Sequence, residues 1–369
     1  MQRTKRILTT AALLIAAVVV FSQNKSGGIN LSLWRGLQTQ PINEHQTTYF
    51  NLGLISAQNR THGLSINLVA NTTELNNKGI QVSGIYSLSK ESNMGLSIAG
   101  LFNVFANNNY GVAAAGLFTM TGIDQSGLAI GGIGNFTGYN TNGLTLAGLV
   151  NYNGDKLRGA QIAGVANLTG KGRGVQISGL ANIAREEMHG VQLAAFNSAN
   201  EGRGVQIGLV NYNRSPFKGI QLGLVNLNPK TKYQILVFGG NQTKINAALR
   251  FNNRIFYNQI GLGSPALKWG DNFSGAISYR TGIKYDLTRN WELSGDVGVQ
   301  HINTFSNKDK SKGIPRRLYS LQARINSSYL IYKNIGSMVS IGYGTTRWYS
   351  KSTTYRKGVL LEAGLYYQI

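Results

Sequence analysis

From Gly63 to Gly219 the chain repeats one short pattern eleven times, opening on glycines 63, 79, 95, 111, 127, 143, 159, 174, 190, 204 and 219. The period is 16 residues with occasional units of 15 or 14. A fixed short period is the mark of a repeat architecture, in which each unit packs on its neighbours. The unit is legible in Gly95-Leu-Ser-Ile-Ala-Gly-Leu-Phe-Asn103: a glycine, two alternating apolar residues, a small pair, another apolar residue and an asparagine. Polar or small residues then lead to the next glycine.

Alternation such as Leu96 and Ile98, or Val175 and Ile177, predicts a short strand with one buried face. The reading puts the apolar residues inside and turns the intervening residue, for example Gln161, Gln176, Gln192, Gln206 or Gln221, outward. The small pair breaks the two-residue period, and a bend there lets the chain turn a corner. The asparagines that follow, such as 135, 151, 167, 182 and 197, would stack from coil to coil about 4.8 Å apart and bond through their amides. These features predict an all-β chain whose residues 63–228 form a parallel β-solenoid. The alternative is one large antiparallel β-barrel with a strand per repeat. Uniform connections and the unit shortened at Gly204-Val-Gln-Ile-Gly-Leu-Val-Asn211 favour the solenoid, because a one-residue loss inside a membrane strand would flip every later side chain.

Residues 28–62 carry two alternating stretches, Ile29–Trp34 and Tyr49–Ile55, and are assigned as N-terminal cap strands. After Asn228-Pro229-Lys230 the rhythm changes. Long alternating strands follow, as in Ile277, Tyr279, Thr281, Ile283 and Tyr285 against Ser278, Arg280, Lys284 and Asp286. About eight such strands over 229–369 predict a C-terminal antiparallel β-barrel whose lumen is filled by side chains. Arg280, Lys284, Glu292, Asp296, Arg324 and Glu362 are expected to be lumenal ion pairs. A soluble barrel covered by the solenoid is the competing arrangement.

Arg3, Lys5 and Arg6 precede the apolar run 11–21, so residues 1–23 are expected to be a removable signal peptide and the mature protein to be exported. Cysteine is absent, which removes disulfides, thiolate metal sites and thiol nucleophiles. The formal charge of +22 falls to +19 without the three basic leader residues. The remaining basic residues are scattered through loops, as at Lys156, Arg158, Lys171, Arg173, Arg203, Arg214 and Lys218. With a leader, that pattern argues against nucleic acid and for outer-membrane lipid, with an anionic envelope glycan or lipopolysaccharide as a second partner class.

No reaction can be read from the chain. His45, His62, His189 and His301 show no metal-ligand spacing, so no metal or other cofactor is expected. Gly170-Lys-Gly-Arg-Gly174 lacks the Lys-Ser/Thr ending of a phosphate loop. Repeats spread similar residues evenly, whereas catalysis needs one convergent constellation. The remaining place for an enzyme is the barrel mouth near Arg280, Asp296 and Glu362. A ligand-binding alternative uses the row Gln161, Gln176, Gln192, Gln206 and Gln221 as a glycan- or lipid-binding face.

The Gly-Val-Gln-Ile-Gly-Leu-Val-Asn type of repeat, the opening Asn30-Leu-Ser-Leu-Trp34 and the junction Leu236-Val-Phe-Gly-Gly-Asn241 resemble a family of bacterial surface-repeat-containing proteins of Gram-negative envelopes. The resemblance covers nearly the whole mature chain. It implies an envelope or surface location and, the family being functionally uncharacterised, transfers no active-site residues. The leader, the repeat and the lipid-type alternation of the last strands give the expectation of a non-enzymatic outer-membrane or cell-surface protein in a structural or interaction role.

Overall fold

The computed structural model describes residues 28–40, 42, 46–266, 274–305, 317–349 and 354–369. The expected leader at 1–23 and His45 lie outside them. The chain is all-β, with a parallel solenoid of about eleven turns and a closed eight-stranded antiparallel barrel. It divides into two compact units, one ending at Asn200 and one running from Glu201 to Ile369.

In the first unit each repeat makes one coil of short strands, some coils adding a two-residue strand such as Ser92–Asn93. Successive coils stack in register, Gly127 on Gly143 and Leu128 on Leu144, and Asn135 on Asn151. The opening glycine is required by this close approach. Gly143 has φ of 137°, and a Cβ there would stand 2.1 Å from the carbonyl oxygen of Gly127 in the coil before it. The residues assigned as cap strands belong to the same stack. Ile29–Trp34 runs parallel to Thr47–Gln58, which runs parallel to Arg60–Thr73. Parallel pairing therefore begins at Ile29 and not at Gly63, and only the antiparallel pairing of Ile29–Trp34 with Leu37–Gln38 departs from the repeat.

The side-chain direction is opposite to the sequence expectation. Gln161, Gln176, Gln192, Gln206 and Gln221 point inward and are at most 1% exposed. Leu149, Ile162 and Leu180 face out, Leu180 at 60%. Alternation with period two defines two faces but does not say which is interior. Here the inward residues bond to their own kind one coil away. Asn135 Nδ2 donates to Asn151 Oδ1 at 2.8 Å, Asn151 to Asn167 at 2.9 Å, Asn167 to Asn182 at 2.9 Å and Asn182 to Asn197 at 3.1 Å. A second row runs Asn77 to Asn93 to Asn109 to Gln125. A stacked amide is both donor and acceptor, so the desolvation cost of burying it is offset along the row.

The second unit opens with the last coils, where Gln206 stacks on Gln221 and Asn211 on Asn226. Each has a single corner glycine, Gly208 and Gly223, in place of the usual pair, and both rows stay in register. The two shortened coils thus match one another, and Gln206 and Asn211 stay as buried as Gln192 and Asn197 of the preceding coil. The barrel strands are Lys232–Gly240, Ile245–Asn253, Phe256–Ala266, Ser274–Asp286, Trp291–Thr304, Arg317–Tyr332, Ile335–Trp348 and Thr354–Gln368. The first closes on the eighth through pairs such as Val237 with Leu365.

Candidate functional site in the barrel lumen and on the outer surfaces

The barrel alternates as its sequence predicts. Even positions of most strands point inward, and the charged ones meet across the lumen. Arg280 binds Glu362 with two parallel bonds, Nη1 to Oε2 at 2.8 Å and Nη2 to Oε1 at 2.9 Å. Arg324 approaches the same carboxylate at 3.3 Å and Asp296 at 3.6 Å. The Tyr257 hydroxyl donates to Asp296 Oδ2 at 2.7 Å, and Asn326 donates to the same oxygen at 2.8 Å. Lys284 pairs with Glu292 at 2.8 Å. The Arg250 guanidinium lies 4.5 Å from the centre of the Tyr257 ring, and that of Arg280 4.9 Å from the Phe238 ring. The six charged residues expected in the lumen are all there. Arg250, on the second strand, is an inward charge that the alternation of Ile245–Asn253 could have revealed.

Among the described residues, side chains such as Arg250, Tyr257, Arg280, Asp296 and Arg324 are buried in the lumen. Gly342 is glycine because a Cβ there would stand 2.7 Å from Arg324 Cγ. Leu236, Phe238, Ala248, Met338 and Tyr366 form an apolar plug beside the ion network. At one mouth Gln242 turns inward, donating to Thr346 Oγ1 at 2.9 Å and accepting from Gln322 at 2.8 Å. At the other mouth a polar hollow of about 420 Å³ is lined by Lys232, Lys284, Arg289, Asn290 and Glu292 among others. Glu362 is thus held by Arg280 and Arg324, and Asp296 by Arg324, Tyr257 and Asn326, well inside the wall, an arrangement in which buried charges are paired.

The outer wall is apolar. Val237, Leu262, Ile277, Ile283, Val297, Val299, Leu321, Ile325, Val339, Ile341 and Leu361 are all exposed. Aromatics border this belt: Tyr285, Trp291, Tyr329, Tyr332 and Tyr367 at one end, and a contacting His301, Tyr319 and Tyr349 cluster at the other. Tyr319 and Tyr329 are ten positions apart on one strand. At about 3.3 Å per residue and a tilt near 45° they stand roughly 23 Å apart along the barrel axis.

One stretch of wall breaks the apolar rule. Asn253 and Asn258 face outward yet are buried, because the last coil packs over them. Asn258 Nδ2 donates to the Gln221 carbonyl at 3.1 Å, Tyr279 Oη donates to the Gly223 carbonyl at 3.2 Å, and Asn228 Nδ2 bonds both Gln221 Oε1 at 3.0 Å and Asn253 Oδ1 at 2.8 Å. The barrel wall therefore continues the amide core of the final coil. No repeat pattern signals this, since Asn253 falls between two expected strands and Asn258 within one, both beyond the last repeat.

The glutamine row proposed as a binding face is inside the coils and out of reach of a glycan. Gly170, Lys171, Gly172, Arg173 and Gly174 follow the ordinary path of a coil, Gly174 stacking on Gly159. Lys171 pairs with Glu186 at 3.1 Å, and the bond to Glu186 with its charge raises the ammonium above its usual range. Among the described residues no group of three His, Asp or Glu is placed to hold a metal. No helix among them is long and apolar enough to cross a membrane, which says nothing about crossing by strands.

No family model and no curated protein matches the chain. A solved structure from the de novo design of transmembrane β-barrels is similar over 38% of this chain and 97% of its own, at 16% identity and a TM-score of 0.25. A likeness at that level carries no argument about function.

Proposed function

We propose that the protein is a non-enzymatic outer-membrane protein whose barrel anchors the repeat array in a structural or interaction role. The observation that supports this most is the barrel wall: an apolar belt bordered by aromatics at both ends around a lumen closed by its own ion pairs and amides. Water-soluble barrels have no reason to expose such a belt, and a filled lumen serves anchoring rather than transport. The expected secretory leader and the resemblance to surface-repeat proteins of Gram-negative envelopes point the same way.

Turn lengths orient the anchor. The connections after Asn253 and Tyr332 leave two residues between strands and that after Asp286 four, whereas those after Ala266 and Thr304 leave seven and twelve. Short turns face the periplasm in outer-membrane barrels. The last coil meets the wall at Asn253 and Asn258, beside a short turn, which puts that coil near the periplasmic end of the barrel. The test is fractionation of cells producing the full chain, with gel mobility read before and after boiling. Recovery in the detergent-soluble outer-membrane fraction, with a heat-dependent mobility shift, is expected. Release into the soluble periplasm without detergent overturns the reading.

A further inference from the structure

We propose that the repeat array is itself a membrane element. Its apolar outer surface is immersed in one leaflet, and a row of basic side chains at the border of that surface binds the anionic phosphates of lipid headgroups. The proposal rests on the barrel being a membrane anchor, and the experiment below separates the two.

The outward residues of the first unit are apolar on both sheets and around the corner between them. On one coil these are Leu144 and Leu146 on the first sheet, Leu149 at the corner, and Val150 and Tyr152 on the second. Nine coils at about 4.8 Å make this surface roughly 40 Å long, and its area is on the order of 1,000 Å², beyond the few hundred usual for a water-soluble monomer. It wraps a convex ridge, which one flat protein partner cannot cover on both sides but fluid hydrocarbon can. The asparagine row from 135 to 197 bonds inward from coil to coil and makes no use of this outer surface.

Charge marks where the apolar zone ends. Arg158, Arg173 and His189 occupy one outward position on three successive coils, Arg158 beside Arg173 and Arg173 beside His189. Like charges directly alongside in neighbouring strands repel. Among the described residues no carboxylate lies within ion-pair distance of Arg158 or Arg173, whereas Lys171 at the loop edge is paired with Glu186. From Arg173 the strand runs five residues to its end at Ser178, just before the corner at Gly179 and Leu180. That is about 16 Å of extended chain, close to the ~15 Å half-thickness of a bilayer's hydrocarbon core. On the opposite sheet Arg185 sits at the matching border, its guanidinium 5.8 Å from the centre of the Tyr152 ring and bonded to the Gly154 carbonyl at 2.6 Å. Apolar ridge, basic border and polar loop edge follow one another as acyl chain, phosphate and water do in a leaflet.

The absence of cysteine makes the test clean. Full-length Leu149→Cys, Leu180→Cys, Lys156→Cys and Val339→Cys variants are labelled with an environment-sensitive dye in vesicles of phosphatidylethanolamine and phosphatidylglycerol, and each is checked for heat-dependent mobility. Expected is quenching by acyl-chain nitroxide at 149, 180 and 339 at least threefold stronger than at 156. Quenching at 339 but at neither 149 nor 180 overturns this proposal and leaves the anchor standing. No quenching at 339 removes the anchor itself. Oxidative cross-linking of 149 to 149 between copies without lipid quenching overturns the proposal in favour of a second chain as the cover. For the headgroup row, spin-labelled phosphatidylglycerol should be immobilised at least twofold more than phosphatidylcholine, and Arg158→Gln with Arg173→Gln should remove that preference. Equal immobilisation of the two lipids by the unaltered chain overturns the phosphate assignment.

Discussion

Gln176 Nε2 donates to Gln161 Oε1 at 3.0 Å from one coil to the next, and both side chains are essentially sealed from solvent. Gln192 continues the row, donating to Gln176 at 2.9 Å. The repeat is held by amides inside and presents its hydrocarbon outside, the reverse of a water-soluble solenoid.

That inversion predicts an inverted mutational pattern. Gln176→Leu takes the donor from the Gln161 oxygen, while the Gln192 amide keeps the Asn182 and Ser198 carbonyls, and should destabilise the array by about 1–3 kcal/mol, the cost of one orphaned buried group. Ile162→Gln, on the outer surface, should change stability in detergent by less than about 1 kcal/mol. Urea unfolding followed by circular dichroism measures both. Equal losses would mean that the two faces are energetically alike.

In the barrel, Glu362 accepts from both Arg280 and Arg324. Glu362→Gln leaves two buried guanidinium groups short of charge and should cost about 3–5 kcal/mol. The midpoint of heat-dependent mobility loss reads this directly. An unchanged midpoint would show that the lumenal pairs do not hold the barrel.

At the seam between the last coil and the wall, Tyr279 Oη lies within hydrogen-bond distance of Gly223 O and Asn258 Oδ1. Tyr279→Phe should weaken the seam by about 1 kcal/mol and so open it roughly fivefold more often. Trypsin cleavage at the exposed Lys230 should accelerate by that factor while the barrel keeps its mobility shift. Accelerated cleavage together with loss of the shift would instead place Tyr279 in the barrel's own stability.

Removing one repeat, 127–142, brings Gly143 into the place of Gly127, its partner in register. Each coil contacts mainly its neighbours, so the shortened chain should fold with its barrel unchanged. Aggregation of this variant, with folding restored by deleting two repeats, would point to strands of alternating direction.

Much of this was legible in the residues. The period of 16 imposes parallel stacking, because only a coil returning to the same place each turn sets Asn151 on Asn167. Sustained alternation located the eight barrel strands and the six charges of the lumen. The direction in which the repeat faces was not legible. A two-residue period is symmetric between its faces and does not say which of them is core. The first coils were also hidden, since Ile29–Trp34 and Thr47–Gln58 lack the spaced glycines that define later units.

The sequence by itself determined the local structure and its repetition, because strand alternation, corner glycines and amide spacing act over a few residues and recur. Tertiary structure alone decided three things: which face of the coil is core, how Arg280 and Arg324 share Glu362, and that Asn253, Asn258 and Tyr279 close the end of the array. Each depends on which groups far apart in the chain meet. A buried amide or guanidinium is stable only beside a partner that the fold, and not the local residues, brings to it.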